Sequence, residues 1–254
     1  MASKQVTDRE KSTRFVLAAL DTHATTIQAA FEKRFAGALR KGEKSPDLAL
    51  LAALVARVLD ATTATLVEAD RRHEAELADD AGPRTRRDEH AQQVYQTLVD
   101  LRAAVGASLG QEGLRVLGLD HATPEDPSVL LNEGTATLGK LRDKGLELPG
   151  PRRKGISFEP SEFAEELQAH LTPLRQSLAD VARETREGDR SLHDKRQAMA
   201  AHDESFSLGA SWLSATLSLV GLDELASRVR PAPRRPGQVE DAGEPAPAPA
   251  GPSS

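Results

Sequence analysis

An apolar heptad limits what this chain can fold into. Leu192, Met199, Phe206, Leu213 and Val220 recur every seventh residue, with no proline between them. Seven-residue spacing keeps one stripe of a long α-helix turned toward a single surface. A strand would send the same residues to alternate faces. The same helical rhythm runs through most of residues 7–230, and no segment reads as a strand. The expected fold class is all-α: an elongated antiparallel bundle of about six helices over residues 1–230. A disordered Pro/Ala-rich tail, residues 231–254, is expected to follow.

Local signals divide the bundle. Thr7-Asp8-Arg9-Glu10 has the form of a capping box and predicts a first helix from Thr7, ended by Gly42. Ser45-Pro46 predicts the start of a second helix, and Ala81-Gly82-Pro83 its end. A third is expected over Thr85–Leu109, with a short turn at Leu114–Leu117. Gly118-Leu119-Asp120 and Gly221-Leu222-Asp223 read as helix–helix corners. A fourth helix is expected from Asp126-Pro127 to Lys144. Residues 146–159, with Pro149-Gly150-Pro151, form the longest internal break and a candidate subdomain boundary. A fifth helix, Pro160–Glu187, keeps its stripe in phase across Pro173 and reads as one kinked helix. Gly188-Asp189 is expected to separate it from the heptad helix, and a last short helix spans Asp223–Arg230.

Composition narrows the function classes. Aromatic residues are 3% of the chain, so alanine and leucine do most of the packing. There is no cysteine, which excludes disulfides and thiolate chemistry. A net charge of −6 gives no general attraction to nucleic acid. The basic runs at Arg84/Arg86/Arg87, Arg152/Arg153/Lys154 and Arg228–Arg235 sit in or beside turns, without aromatic residues to stack on bases. The richest apolar stretch, Leu48 to Leu59, is short for a membrane span and is broken by Arg57. Met1 to Arg14 carries no signal-peptide core. A cytoplasmic location is expected, and the alanine and arginine content resembles that of high-GC bacterial proteins.

No phosphate-binding glycine loop, nucleophile elbow, His-Glu-x-x-His or EF-hand loop is present. The expected function is therefore non-enzymatic. The chain reads as a helical scaffold, adaptor or assembly subunit that binds a protein partner or itself, with Leu192, Met199, Phe206, Leu213 and Val220 as the interaction stripe. No cofactor is expected. The alternative is a metal- or haem-binding bundle with a redox, storage or sensing role. His23, His73, His90, His170 and His202 fall on or beside apolar stripes, and Asp70 with His73 and Glu166 with His170 each share a helix face. These four residues are the candidate ligands. Neutral histidines packed beside leucines explain the same positions without a metal.

Overall fold

The computed structural model describes residues 3–79, 81–152 and 158–240. Over them the chain is all-α. Its helices are α1 (Lys4–Phe35), α2 (Leu48–Asp79), α3 (Ala81–Ser108), α4 (Gly110–Leu117), α5 (Pro127–Arg142), α6 (Pro160–Leu219) and α7 (Asp223–Arg228). A single antiparallel bridge, Pro231 to Val239, is the β-pairing among the described residues.

Caps decide several boundaries differently from the sequence reading. α1 begins at Lys4, and Thr7 is already helical, its hydroxyl donating to the Ser3 carbonyl at 3.1 Å. The cap of α2 is Asp47, whose carboxylate accepts from the Leu50 amide at 2.8 Å, not Ser45. α2 ends at Asp79, beside the expected stop, but Ala81-Gly82-Pro83 itself forms the first turn of α3, four residues ahead of the expected start at Thr85. A proline there forfeits no intrahelical hydrogen bond. Asp126 caps α5 as expected, accepting from the amides of Ser128 and Val129 with Pro127 at the first position. Both Gly-Leu-Asp corners form. Gly118 and Gly221 take left-handed conformations, and the Leu119 and Leu222 amides reach back to the carbonyls of Leu114 and Leu217.

The largest departure is α6, one 60-residue helix that passes through both Pro173 and Gly188-Asp189. Continuity across Pro173 follows the stripe, since Leu171 and Leu174 are both buried. A mid-helix glycine costs only about 1 kcal/mol relative to alanine. Packing on either side of Gly188 outweighs that.

The chain divides into two compact units. Unit 1 comprises residues 1–75 and 190–254, and unit 2 comprises 76–189. Neither division falls at 146–159. That loop belongs to unit 2, where the Arg152 amide donates to the Ser108 carbonyl at 2.8 Å and Leu146, Leu148 and Phe158 pack on the core. The unit 2 core is built from Val94, Leu98 and Leu101 of α3, Leu130 and Leu138 of α5, and Leu167, Leu171 and Leu174 of α6. The unit 1 core joins Val16, Leu20 and Ile27 of α1, Leu59 of α2, and Phe206, Leu213 and Leu217 of α6.

Val239 also belongs to that core, only 4% exposed. Residues 231–240 are therefore not a loose tail. The Ala232 amide donates to the Gln238 carbonyl and the Glu240 amide to the Arg230 carbonyl, both at 2.8 Å. Buried Val239 and these backbone hydrogen bonds together hold the segment. The remainder of the expected disordered tail, residues 241–254, lies outside the described residues.

Candidate docking groove

The predicted interaction stripe is turned inward. Phe206 and Leu213 are fully buried in unit 1, and Leu192, Met199 and Val220 are partly buried. A side chain with no exposed surface offers nothing to a partner, so Phe206 and Leu213 are core residues of α6, while Leu192, Met199 and Val220 keep part of their surface.

The exposed apolar surface lies on α2 instead. Leu50, Leu51, Leu54, Val58 and Leu208 are between 40% and 67% exposed. An 18-residue window in the helical stretch beginning at Leu48 has a mean hydropathy of 1.7, yet only 17% of it is buried. Arg57 and Asp60 do not prevent this window from being long and apolar enough, by length and composition, to cross a membrane. A helix that is apolar on all sides is normally covered all round. Here Ala52 and Leu59 face the unit 1 core and Leu66 is buried, while Leu51, Leu54 and Val58 on another face meet solvent.

A groove forms where α2 and α6 run together in unit 1. At one end a hollow of about 360 Å³ is lined by Leu51, Leu54, Val58, Leu208, Gly209 and Trp212. Gly209 permits the close approach, because a Cβ there would sit 2.9 Å from Val55 Cγ1. Further along the same pair, a second hollow of about 700 Å³ has Ala69, Ala198 and Ala201 among its walls, with Glu68, Arg72 and Asp194 as its charged lining. The two hollows are separate: large apolar side chains line the first and small ones the second. Unit 2 holds a hollow of about 540 Å³ lined by Arg87, Asp88, Gln92 and Glu125, but its guanidinium is already paired with Asp88 at 2.7 Å.

Three histidines meet hydroxyl groups of other helices, whereas the buried Nδ1 of His90 has no hydrogen-bond partner among the described residues. His73 Nδ1 lies 3.0 Å from Ser191 Oγ, and His202 Nε2 lies 3.0 Å from Thr13 Oγ1. In unit 2, Thr97 donates to the Gln93 carbonyl, so its oxygen is free to accept from His170 Nδ1 at 2.9 Å. His202 Nδ1 faces the Asp203 carboxylate at 3.3 Å, which places the proton on Nδ1 and leaves Nε2 to accept from Thr13. Burial holds the His202 pKa below the ordinary imidazole value, against the pull of Asp203 and with a smaller push from Arg9. Asp203 is itself clamped by Arg9, whose Nε and Nη2 donate at 2.7 and 2.8 Å.

The four candidate ligands are divided between the two units. Asp70 and His73 belong to unit 1 and bond there; Glu166 and His170 belong to unit 2. Asp70 is fully buried and accepts from the Ser3 amide and hydroxyl at 2.7 and 2.8 Å and from Lys195 Nζ at 2.7 Å. Burial alone would raise its pKa, but the hydrogen bonds from Lys195 and Ser3 outweigh it and hold the carboxyl below its ordinary value. It acts as the anchor of the N-terminal turn of α1. Among the described residues, the carboxylates that do gather are Glu76, Glu184 and Glu187, an all-acidic group containing none of the four.

The sequence reading missed this surface because it placed the interaction stripe on the heptad alone. The signal was present: Leu50, Leu51, Leu54 and Val58 cannot share one narrow face with Ala52, Leu59 and Leu66. Comparison with protein-family models, with curated proteins and with solved structures found no match.

Proposed function

We propose that this chain is a non-enzymatic interaction protein, a scaffold, adaptor or assembly subunit that docks a protein partner along the α2–α6 groove of unit 1. The observation that carries this reading is the apolar window of α2, hydrophobic on more than one face yet only 17% buried. Contiguous exposed apolar surface of this kind marks interaction sites in water-soluble chains. The apolar hollow suits the face of an amphipathic helix, with large side chains entering between Leu54, Leu208 and Trp212. Among the described residues, no charged side chain lines the apolar hollow, so nothing in it attracts an anionic bilayer surface.

The test is photo-cross-linking in cells. A benzophenone amino acid at position 208, which is 67% exposed, should trap a protein, and Leu54→Arg in the same chain should abolish the adduct. Trapping of lipid alone, or of nothing, refutes the reading.

A further inference from the structure

We infer that the occupant of the groove is a second copy of this chain, which pairs its own α2 with the partner's α2, antiparallel, about a two-fold axis. This rests on reading the groove as a docking surface and names what docks there.

The exposed face of α2 is itself a seam. Leu51, Leu54, Val58, Ala61 and Thr65 are all exposed and follow one another at spacings of three, four, three and four residues. That is the spacing at which two helices interlock side chains as knobs into holes. The buried face of α2 does not use these residues, so the seam is free for a second helix.

Side-chain volume along the seam suits a two-fold pairing. With the helices antiparallel and the axis midway between Leu54 and Val58, Leu51 of one copy lies opposite Ala61 of the other. Leu54 likewise lies opposite Val58. A leucine then faces a smaller residue at each of these pairs, alanine or valine, which leaves room for both side chains between packed helices; Thr65 falls opposite the start of the partner's α2 and lies at the edge of the seam. A two-fold interface must be complementary to itself, and this segment is. On α6, Leu208 stands beside the hollow as the most exposed of the large apolar residues. In the pair it supplies a knob for the other copy's hollow, and two α2–α6 pairs close into four helices around one apolar centre.

Area supports the same occupant. Leu50, Leu51, Leu54, Val58 and Leu208, with the partly exposed Val55 and Trp212, leave on the order of 500 Å² of apolar surface in water. A standard interface takes about 800 Å² from each partner, rather more than half of it apolar. The patch is the right size for the apolar part of one side of a dimer.

Sedimentation equilibrium of the full chain tests this, at about 100 μM, above the weakest affinities of interfaces this size. Twice the chain mass of 27.3 kDa is expected for the wild type. Single mass is expected for both Leu54→Arg and Leu208→Glu, with unchanged helical circular dichroism. The two positions are 45% and 67% exposed, so a charge there leaves the core intact. Wild-type chain at single mass overturns the dimer, and so does a dimer that survives both substitutions. In either case the adduct at position 208 separates the two readings. A different protein in the adduct leaves the groove a docking surface and removes only the second copy. Lipid or no adduct removes both.

Discussion

His202 and Asp70 show how a polar group is kept inside a leucine- and alanine-based core. His202 is buried against Thr13, Asp203 and Phe206, its ring stacked on Phe206 at 5.9 Å between centroids. Because burial depresses its pKa below 6.5, the unfolded chain takes up a proton that the folded chain refuses once the pH falls below that value. Stability contributed by the neutral ring is therefore complete above pH 6.5. It is lost as the pH falls from there toward the folded pKa. Urea midpoints at about pH 7.5 and pH 5 should show this loss in the wild type and a smaller one in His202→Gln. Equal losses in the two proteins would remove His202 as its source. The sequence identified these histidines as inward-facing but could not say what they meet. Thr13 is 189 residues from His202, and Ser191 is 118 from His73. Partners that distant are set by which helices pack together, and local spacing carries no record of that.

At the scale of the helix, periodicity was legible and punctuation was not. The stripes of α1, α3, α5 and α6 are buried where the 3.6-residue rhythm puts them. Gly188-Asp189 reads as a break because each residue weakens a helix, yet weakness interrupts a helix only where nothing packs across it. A Cβ at Gly188 meets nothing within 4 Å, so Gly188→Ala should stabilise the protein by up to about 1 kcal/mol. A destabilised variant would argue against a continuous α6. The heptad was legible as a buried-type stripe, but its partner was not: the same spacing serves a chain's own core and an interface. Phe206→Ala should cost about 3–5 kcal/mol of unfolding free energy in chemical denaturation. A variant of wild-type stability would place Phe206 outside the core.

For the whole molecule, two cores and one uncovered helix face are the facts that bear on function. Val239 contributes to the unit 1 core from beyond the last helix, which a composition-based tail boundary at residue 231 overlooks. Ending the chain at Arg230 should cost about 2 kcal/mol through the loss of that buried valine. Ending it at Glu240 keeps the valine and should leave the melting temperature close to that of the full chain. Equal melting temperatures for the two truncations would show that the 231–240 segment does not hold. The groove was illegible for a related reason. A helix apolar on two faces is satisfied by one core and one partner, and sequence alone does not divide the faces between them.

The groove carries its own reporter. Trp212 is the single tryptophan of the chain and lines the apolar hollow beside Leu54 and Leu208. Its emission and its quenching by acrylamide, followed as the protein is concentrated from about 0.1 to 100 μM, read directly whether that hollow becomes covered. Emission should shift to the blue and quenching should fall with concentration in the wild type, while Leu208→Glu stays red and quenchable throughout. Emission and quenching that are independent of concentration, and the same in wild type and Leu208→Glu, would contradict a groove closed by a second copy.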